Sequence, residues 1–109
     1  MELLKVEFVP GDPSVVQLDG EIDLSTAGEL RTALEQALAT DPNVVIDMAG
    51  VTFVDATGLR VVLQLAACRN GSGPLPLRNA SRMQRILELV GLSESPSIEF
   101  RSLDDLRGR

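Results

Sequence analysis

The sequence predicts an α/β fold: one domain over residues 1–109, built on a mixed sheet of four to five strands with three to four helices. An N-terminal antiparallel hairpin should be followed by parallel strands joined through helical crossovers. Three observations predict this. The chain has 109 residues, enough for one hydrophobic core and too few for two. It is 44% hydrophobic but only 3% aromatic, so the core must be assembled from Leu, Val, Ile and Ala, as in sheets of near-continuous aliphatic strands. Apolar spacing also switches repeatedly between a period of two and a helical period, and parallel strands linked through helices return by right-handed crossovers.

Leu4, Val6 and Phe8 alternate with charged neighbours and predict a half-buried strand. Pro10 to Pro13 supplies turn chemistry, and Val15, Val16 and Leu18 form a second extended run that Gly20 closes, giving a hairpin. After a loop over Glu21 to Ser25, Thr26 and Glu29 have the spacing of a capping box. Ala27, Leu30, Ala33, Leu34, Ala37 and Leu38 then fall on one helical face until Asp41-Pro42. Val44-Val45-Ile46 reads as a short buried strand, followed by a bend at Ala49-Gly50 and a second apolar run.

From Thr57 to about Arg69 the positions Leu59, Val62, Leu63, Ala66 and Ala67 recur at helical spacing, and Asn70 to Gly73 stops the helix. Leu75 and Leu77 suggest a strand that Pro74 and Pro76 make short or edge-like. Ser81 and Gln84 offer a second capping box before the stripe Met83, Ile86, Leu87 and Val90, and Gly91 suits a left-handed helix end with Leu92 folded back on it. Ile98 and Phe100 predict a last strand, and Ser102 to Arg107 a short amphipathic helix. No internal repeat or linker is visible.

Composition narrows the function. The net charge is −6 with scattered basic residues, which argues against direct contact with nucleic acid. No stretch reaches the length of a membrane span, and the N-terminus lacks the layout of a signal peptide, so a cytoplasmic protein is expected. The single Cys68 fits a reducing compartment and reads as a helix packing residue. There is no His, which removes the usual general base and the commonest metal ligand, and the one lysine, Lys5, is not placed for a phosphate-binding loop. An enzyme is therefore not expected, since carboxylates such as Asp47 and Asp55 have no partnered nucleophile.

Residues 44–59 read VVIDMAGVTFVDATGL and place a small hydroxyl, Thr57, on the first turn of a helix. Helix starts carry about half a positive charge and unpaired N–H groups, so a phosphate on Thr57 is compatible with the fold. It would add roughly −1.5 to −2 charges at one point of the surface, enough to reject a partner fitted to the neutral hydroxyl. Gly58 is expected to leave the approach to that hydroxyl uncrowded. From spacing alone the plainer reading, that Asp55 or Thr57 only caps the helix, is the favoured one, since hydroxyls at helix starts are common.

Three stretches, GEIDLSTAGELRTAL (20–34), VVIDMAGVTFVDATGL (44–59) and LRNASRMQRILELVGL (77–92), resemble in order and spacing those of the STAS family, specifically its stand-alone anti-sigma-factor antagonists. The resemblance covers about two-thirds of the chain. It implies a STAS domain over 1–109 and a phosphorylation-controlled partner switch. The unphosphorylated form would bind an anti-sigma factor that is itself a histidine-kinase-like serine/threonine kinase, freeing the sigma factor. Phosphorylation at Thr57 would end the interaction, and a PP2C-type phosphatase would reset it.

The family's Asp, small residue, Ser or Thr, Gly-Leu pattern falls on Asp55, Ala56, Thr57, Gly58 and Leu59, which the resemblance makes the partner-binding turn together with Asp23 of the preceding acidic loop. From spacing alone Asp23 is as readily a loop carboxylate that pairs with backbone donors near the first helix. ATP and magnesium would belong to the kinase, leaving this chain without a cofactor or metal. Threonine stands where serine is commoner, and Ala56 where many members have a second hydroxyl; Thr52 and Ser25 are the nearby alternatives. The same family includes adaptor subunits of lipid-transport ATP-binding-cassette complexes, the alternative function, and tails of anion transporters, against which a chain near 109 residues argues.

Overall fold

The computed structural model describes residues 3–69, 73–91 and 96–101. Strand β1 (Leu4–Val9) pairs antiparallel with β2 (Val15–Ile22), with Val6 opposite Leu18 and Phe8 opposite Val16, which is the expected hairpin. The next elements are α1 (Ala27–Thr40), β3 (Val45–Val54), α2 (Ala56–Ala67), β4 (Leu75–Arg78), α3 (Ser81–Leu89) and β5 (Ile98–Arg101). The five strands lie in the order β1-β2-β3-β4-β5, and every pairing after the hairpin is parallel. All crossovers thus step the same way across the sheet, so the right-handed rule sets the three helices on one face. The core lies between them: Leu4, Val16, Leu18 and Ile22 of the hairpin pack with Leu30 and Leu34 of α1 and Leu59 and Val62 of α2. Each fully buried leucine stabilises the fold by about 2 kcal/mol relative to exposure.

Several local expectations are corrected. β2 runs past Gly20 to Ile22, absorbing part of the expected loop, because Glu21 and Ile22 pair with Phe53 and Val54 of β3; Gly20 takes φ +116° at the register shift, and a Cβ there would stand 2.1 Å from the Leu3 carbonyl oxygen. The expected bend at Ala49-Gly50 is a register shift inside one continuous ten-residue strand, with Gln17 opposite Asp47 but Asp19 opposite Gly50. β4 is short, as predicted, but it is an interior strand between β3 and β5. Neither capping box forms: no side chain caps α1, although Thr26 is its N-cap, and α3 begins after Ala80 with Ser81 already inside the helix. Cys68 is exposed at the end of α2, not packed. Gly91 adopts the left-handed conformation at φ +79°, whereas the fold-back of Leu92 and the helix expected over Ser102 to Arg107 lie outside the described residues.

A buried carboxylate ties β3 to the end of β4. Asp47 accepts hydrogen bonds from Asn79 Nδ2 at 3.0 Å and the Ala49 N–H at 3.0 Å through one oxygen, and from Arg78 at 3.0 Å through the other. Asn79 reaches it from a left-handed backbone at φ +55°. Desolvation alone would raise the carboxyl's pKa, but these donors and the Arg78 charge together hold it below the usual 3.8. A depressed pKa means that the stabilisation is present at neutral pH and is lost as pH falls below 3.8 through the lowered folded-state value. Asp47→Ala is expected to cost about 2 kcal/mol in urea denaturation at pH 7, by orphaning buried donors, and the gap from the parent chain should narrow at pH 3.

Candidate functional site

β2 and β3 run parallel with Ile22 opposite Val54, so the residues after them, Asp23 and Asp55, leave neighbouring strand ends side by side. Each carboxylate organises the turn that follows it. Asp55 is the N-cap of α2; its Oδ1 accepts the Gly58 N–H at 3.0 Å, and its own N–H donates to the Ile22 carbonyl at 3.0 Å. Helix starts leave their first N–H groups without intrahelical acceptors. Those of Ala56 and Thr57 have no partner among the described residues, and neither does the half-buried Thr57 hydroxyl. Thr57 is thus the second residue of α2, on its first turn as expected, and is partly exposed next to two N–H groups that have no acceptor among the described residues.

Asp23 makes a tighter knot. Its Oδ1 accepts from the Ser25 hydroxyl at 2.6 Å, the Ser25 N–H at 2.9 Å and the Thr26 N–H at 3.2 Å. The Ser25 hydroxyl first, then the backbone donors, outweigh desolvation and hold the Asp23 carboxyl below the usual carboxylate range. The buried Thr26 hydroxyl donates to the Glu21 carbonyl at 2.8 Å and accepts the Asp23 N–H at 3.0 Å, so it staples the loop instead of capping α1. Of the alternative hydroxyls, Ser25 is engaged with Asp23, and Thr52 donates to the Gly20 carbonyl at 3.3 Å.

Two of the expected contact residues are placed inside. Leu59 is 4% exposed and belongs to the core, and Gly58 is buried. A Cβ on Gly58 would lie 2.3 Å from Ile22 Cγ2 and 2.5 Å from the Ile22 carbonyl oxygen. Glycine is required there by the close approach of α2 to β2, not to clear a path to the hydroxyl. Gly58 and Leu59 therefore position the turn, while Ala56 is exposed and Thr57, Asp55 and Asp23 are partly so.

The surface around the turn holds residues that sequence reasoning missed. Leu24 is 75% exposed in the Asp23 loop, and Phe53 is 49% exposed at the end of β3. Phe53 borders a groove of about 440 Å³ against α3, lined also by Ser81, Arg82, Arg85 and Ile86. An apolar residue inside a predicted polar loop was the available signal for Leu24. Phe53 was hidden by the uninterrupted apolar character of its segment.

A family model described as "Mlab, STAS domain" matches residues 9–102, most of the chain. The chain belongs to the STAS domain family. Anti-sigma-F factor antagonist RsfB of Mycobacterium tuberculosis, in strains CDC 1551 and H37Rv, is 38% identical to this STAS domain over 97 residues, covering 84% of this chain and 76% of RsfB. Among solved structures, an anti-sigma factor antagonist from Mycobacterium paratuberculosis superposes with a TM-score of 0.78 at 26% identity, covering 94% of this chain and 89% of that one. The anti-sigma factor antagonist SpoIIAA, solved in its unphosphorylated form, superposes with a TM-score of 0.64 at 19% identity over 94% of this STAS domain and 91% of its own chain, a likeness of fold. Among the described residues no helix is long and apolar enough to cross a membrane, and no group of His, Cys, Asp or Glu is placed to hold a metal ion.

Proposed function

We propose that this STAS domain is an anti-sigma-factor antagonist whose binding is switched by phosphorylation of Thr57. The observation that carries the reading is the placement of Thr57, a partly exposed residue at the start of α2 beside the N–H groups of Ala56 and Thr57, which have no partner among the described residues. The name borne by the 38% identical mycobacterial relative supports the regulatory role over the transport-adaptor alternative. In the unmodified state, the exposed apolar side chains of Leu24 and Phe53, with the small polar Asp55–Thr57 turn, offer a surface of the kind protein partners cover. The partner is an anti-sigma factor with serine/threonine kinase activity.

The kinase supplies ATP and magnesium. Thr57 Oγ attacks the γ-phosphorus, the bond from that phosphorus to the β–γ bridging oxygen breaks, ADP leaves, and the hydroxyl proton passes to a base of the kinase. The product dianion rests against the helix start, where the fold accepts it, but it places about two negative charges in the middle of the docking surface. Dissociation follows, and a PP2C-type phosphatase restores the hydroxyl. Asp23, fixed by Ser25 and Thr26, adds a charged landmark beside the hydroxyl for the kinase.

The test is a pull-down from host lysate with and without ATP, followed by mass spectrometry of the recovered chain. A histidine-kinase-like protein should be captured from ATP-depleted lysate only, and a phosphate mass shift should map to Thr57 once ATP is present. Thr57→Ala is expected to abolish the shift entirely; a shift that persists in this variant moves the site elsewhere, and capture indifferent to ATP favours a constitutive adaptor.

A further inference from the structure

The outer edge of β1 has no strand paired with it among the described residues, since β1 ends the sheet order. We propose that β1 is a self-complementary edge through which two copies of this chain pair antiparallel, about a two-fold axis at Val6, to make one continuous ten-stranded sheet.

The backbone sets which residues can take part. The Leu3 carbonyl accepts the Glu21 N–H at 2.8 Å, so Leu3 points its backbone groups towards β2. In an antiparallel ladder alternate residues point opposite ways. Lys5, Glu7 and Val9 therefore also face β2, and Leu4, Val6 and Phe8 direct their N–H and C=O groups to the open edge. A second β1 can join only in registers that set these three residues against one another, and the registers that use most of the strand are centred on Lys5, Val6 or Glu7.

Charge chooses among them. Centring on Lys5 opposes two lysines, and centring on Glu7 opposes two glutamates, both destabilising directly across a strand pair. Centring on Val6 opposes Lys5 to the partner's Glu7 and Glu7 to the partner's Lys5. The same register opposes Leu3 to the partner's Val9; Leu3 is 42% exposed and Val9 37%, so two apolar side chains otherwise left in water meet each other at both ends of the strand. On the helix side it opposes Leu4 to the partner's Phe8 and Val6 to the partner's Val6, and about six backbone hydrogen bonds close the ladder. Charges on an edge strand normally deter pairing. Here they deter foreign edges and misaligned copies while accepting an aligned one.

There is also room on the helix side. A groove of about 680 Å³ between β1 and α1, lined by Leu4, Val6, Gly28, Thr32 and Ala33 among others, adjoins one of about 350 Å³ that adds Phe8 and Ala37. Val6 and Phe8 are only half-buried at its mouth and would be covered by their counterparts. The pairing does not involve Thr57 and does not rest on its modification.

Sedimentation equilibrium at 150 mM salt, where charges are screened beyond about 8 Å, provides the test. The parent chain should show a concentration-dependent mass that approaches a dimer in the high micromolar range, the regime of small transient interfaces. K5E and E7K each place like charges opposite one another twice, and each should weaken self-association about tenfold. E7K lowers the overall negative charge, so general repulsion predicts the opposite result for that variant. An equimolar mixture of K5E and E7K should associate as a heterodimer about as tightly as the parent. In that pair the two substituted positions face each other with opposite charges, and the native Glu7 of the first variant faces the native Lys5 of the second. Both side chains are exposed, so the fold should persist, with circular dichroism as the check. A parent chain that stays monomeric at millimolar concentration, or a mixture no tighter than its components, overturns the proposal.

Discussion

Gly58→Ala is expected to destabilise the protein by about 2 to 3 kcal/mol, the upper part of the range for overpacking a core. The added methyl would meet Ile22 Cγ2 at 2.3 Å and the Ile22 carbonyl carbon and oxygen at 2.8 and 2.5 Å. A side chain can rotate away, but a strand backbone that also accepts the Asp55 N–H at 3.0 Å cannot. Helix α2 would have to lift from β2, loosening Leu59 and Val62 in the core. For a chain of this size the melting temperature should fall by about 10 °C or more. Calorimetry with a second variant makes the cause specific: Ile22→Ala removes the Cγ2 contact but leaves the carbonyl, so adding it to Gly58→Ala should not restore stability. Recovery in that double variant would mean that the clash is with the side chain alone.

Thr57→Glu should separate stability from recognition. A carboxylate on the first turn of a helix interacts favourably with the local dipole, by about 0.3 to 1 kcal/mol, so the melting temperature should be unchanged or slightly raised. Binding to the anti-sigma factor, measured by isothermal titration, should weaken at least tenfold, equivalent to about 1.4 kcal/mol. Equal loss of both would make Thr57 a structural residue and remove the basis of the switch.

Much of this architecture was legible in the sequence because its signals were periodic. The alternation at Leu4, Val6 and Phe8 and the stripe Leu30, Leu34, Ala37 depend only on which side of an element faces the core, and each is buried or half-buried as read. Misreadings fell where a tertiary contact overrode a local rule. Thr26 and Glu29 have capping-box spacing, but the Thr26 hydroxyl is taken by the Glu21 carbonyl and the Asp23 N–H of the preceding loop. Pro74 and Pro76 suggested a short or edge-like strand; β4 is short but interior, and its Leu75 N–H donates to the Ser97 carbonyl at 2.8 Å. At the candidate site the hydroxyl and its cap were readable, because a strand, an Asp and a small-residue turn are local. The burial of Gly58 was not, since it depends on a residue 36 positions earlier whose proximity only the sheet register reveals.

The parallel arrangement of β2 and β3, with α3 flanking the extension of β3, gathers three stretches from distant parts of the chain at one place: Leu24 with Asp23, Phe53 with the Thr57 turn, and Arg82 with Arg85. Under the proposed switch the middle stretch carries the modifiable group and Asp23 serves the kinase, so Leu24, Arg82 and Arg85 are free to diverge without disturbing the chemistry. A cell holding many such domains could keep its circuits insulated in this way, each with the same off signal but a different address written in the flanking loops.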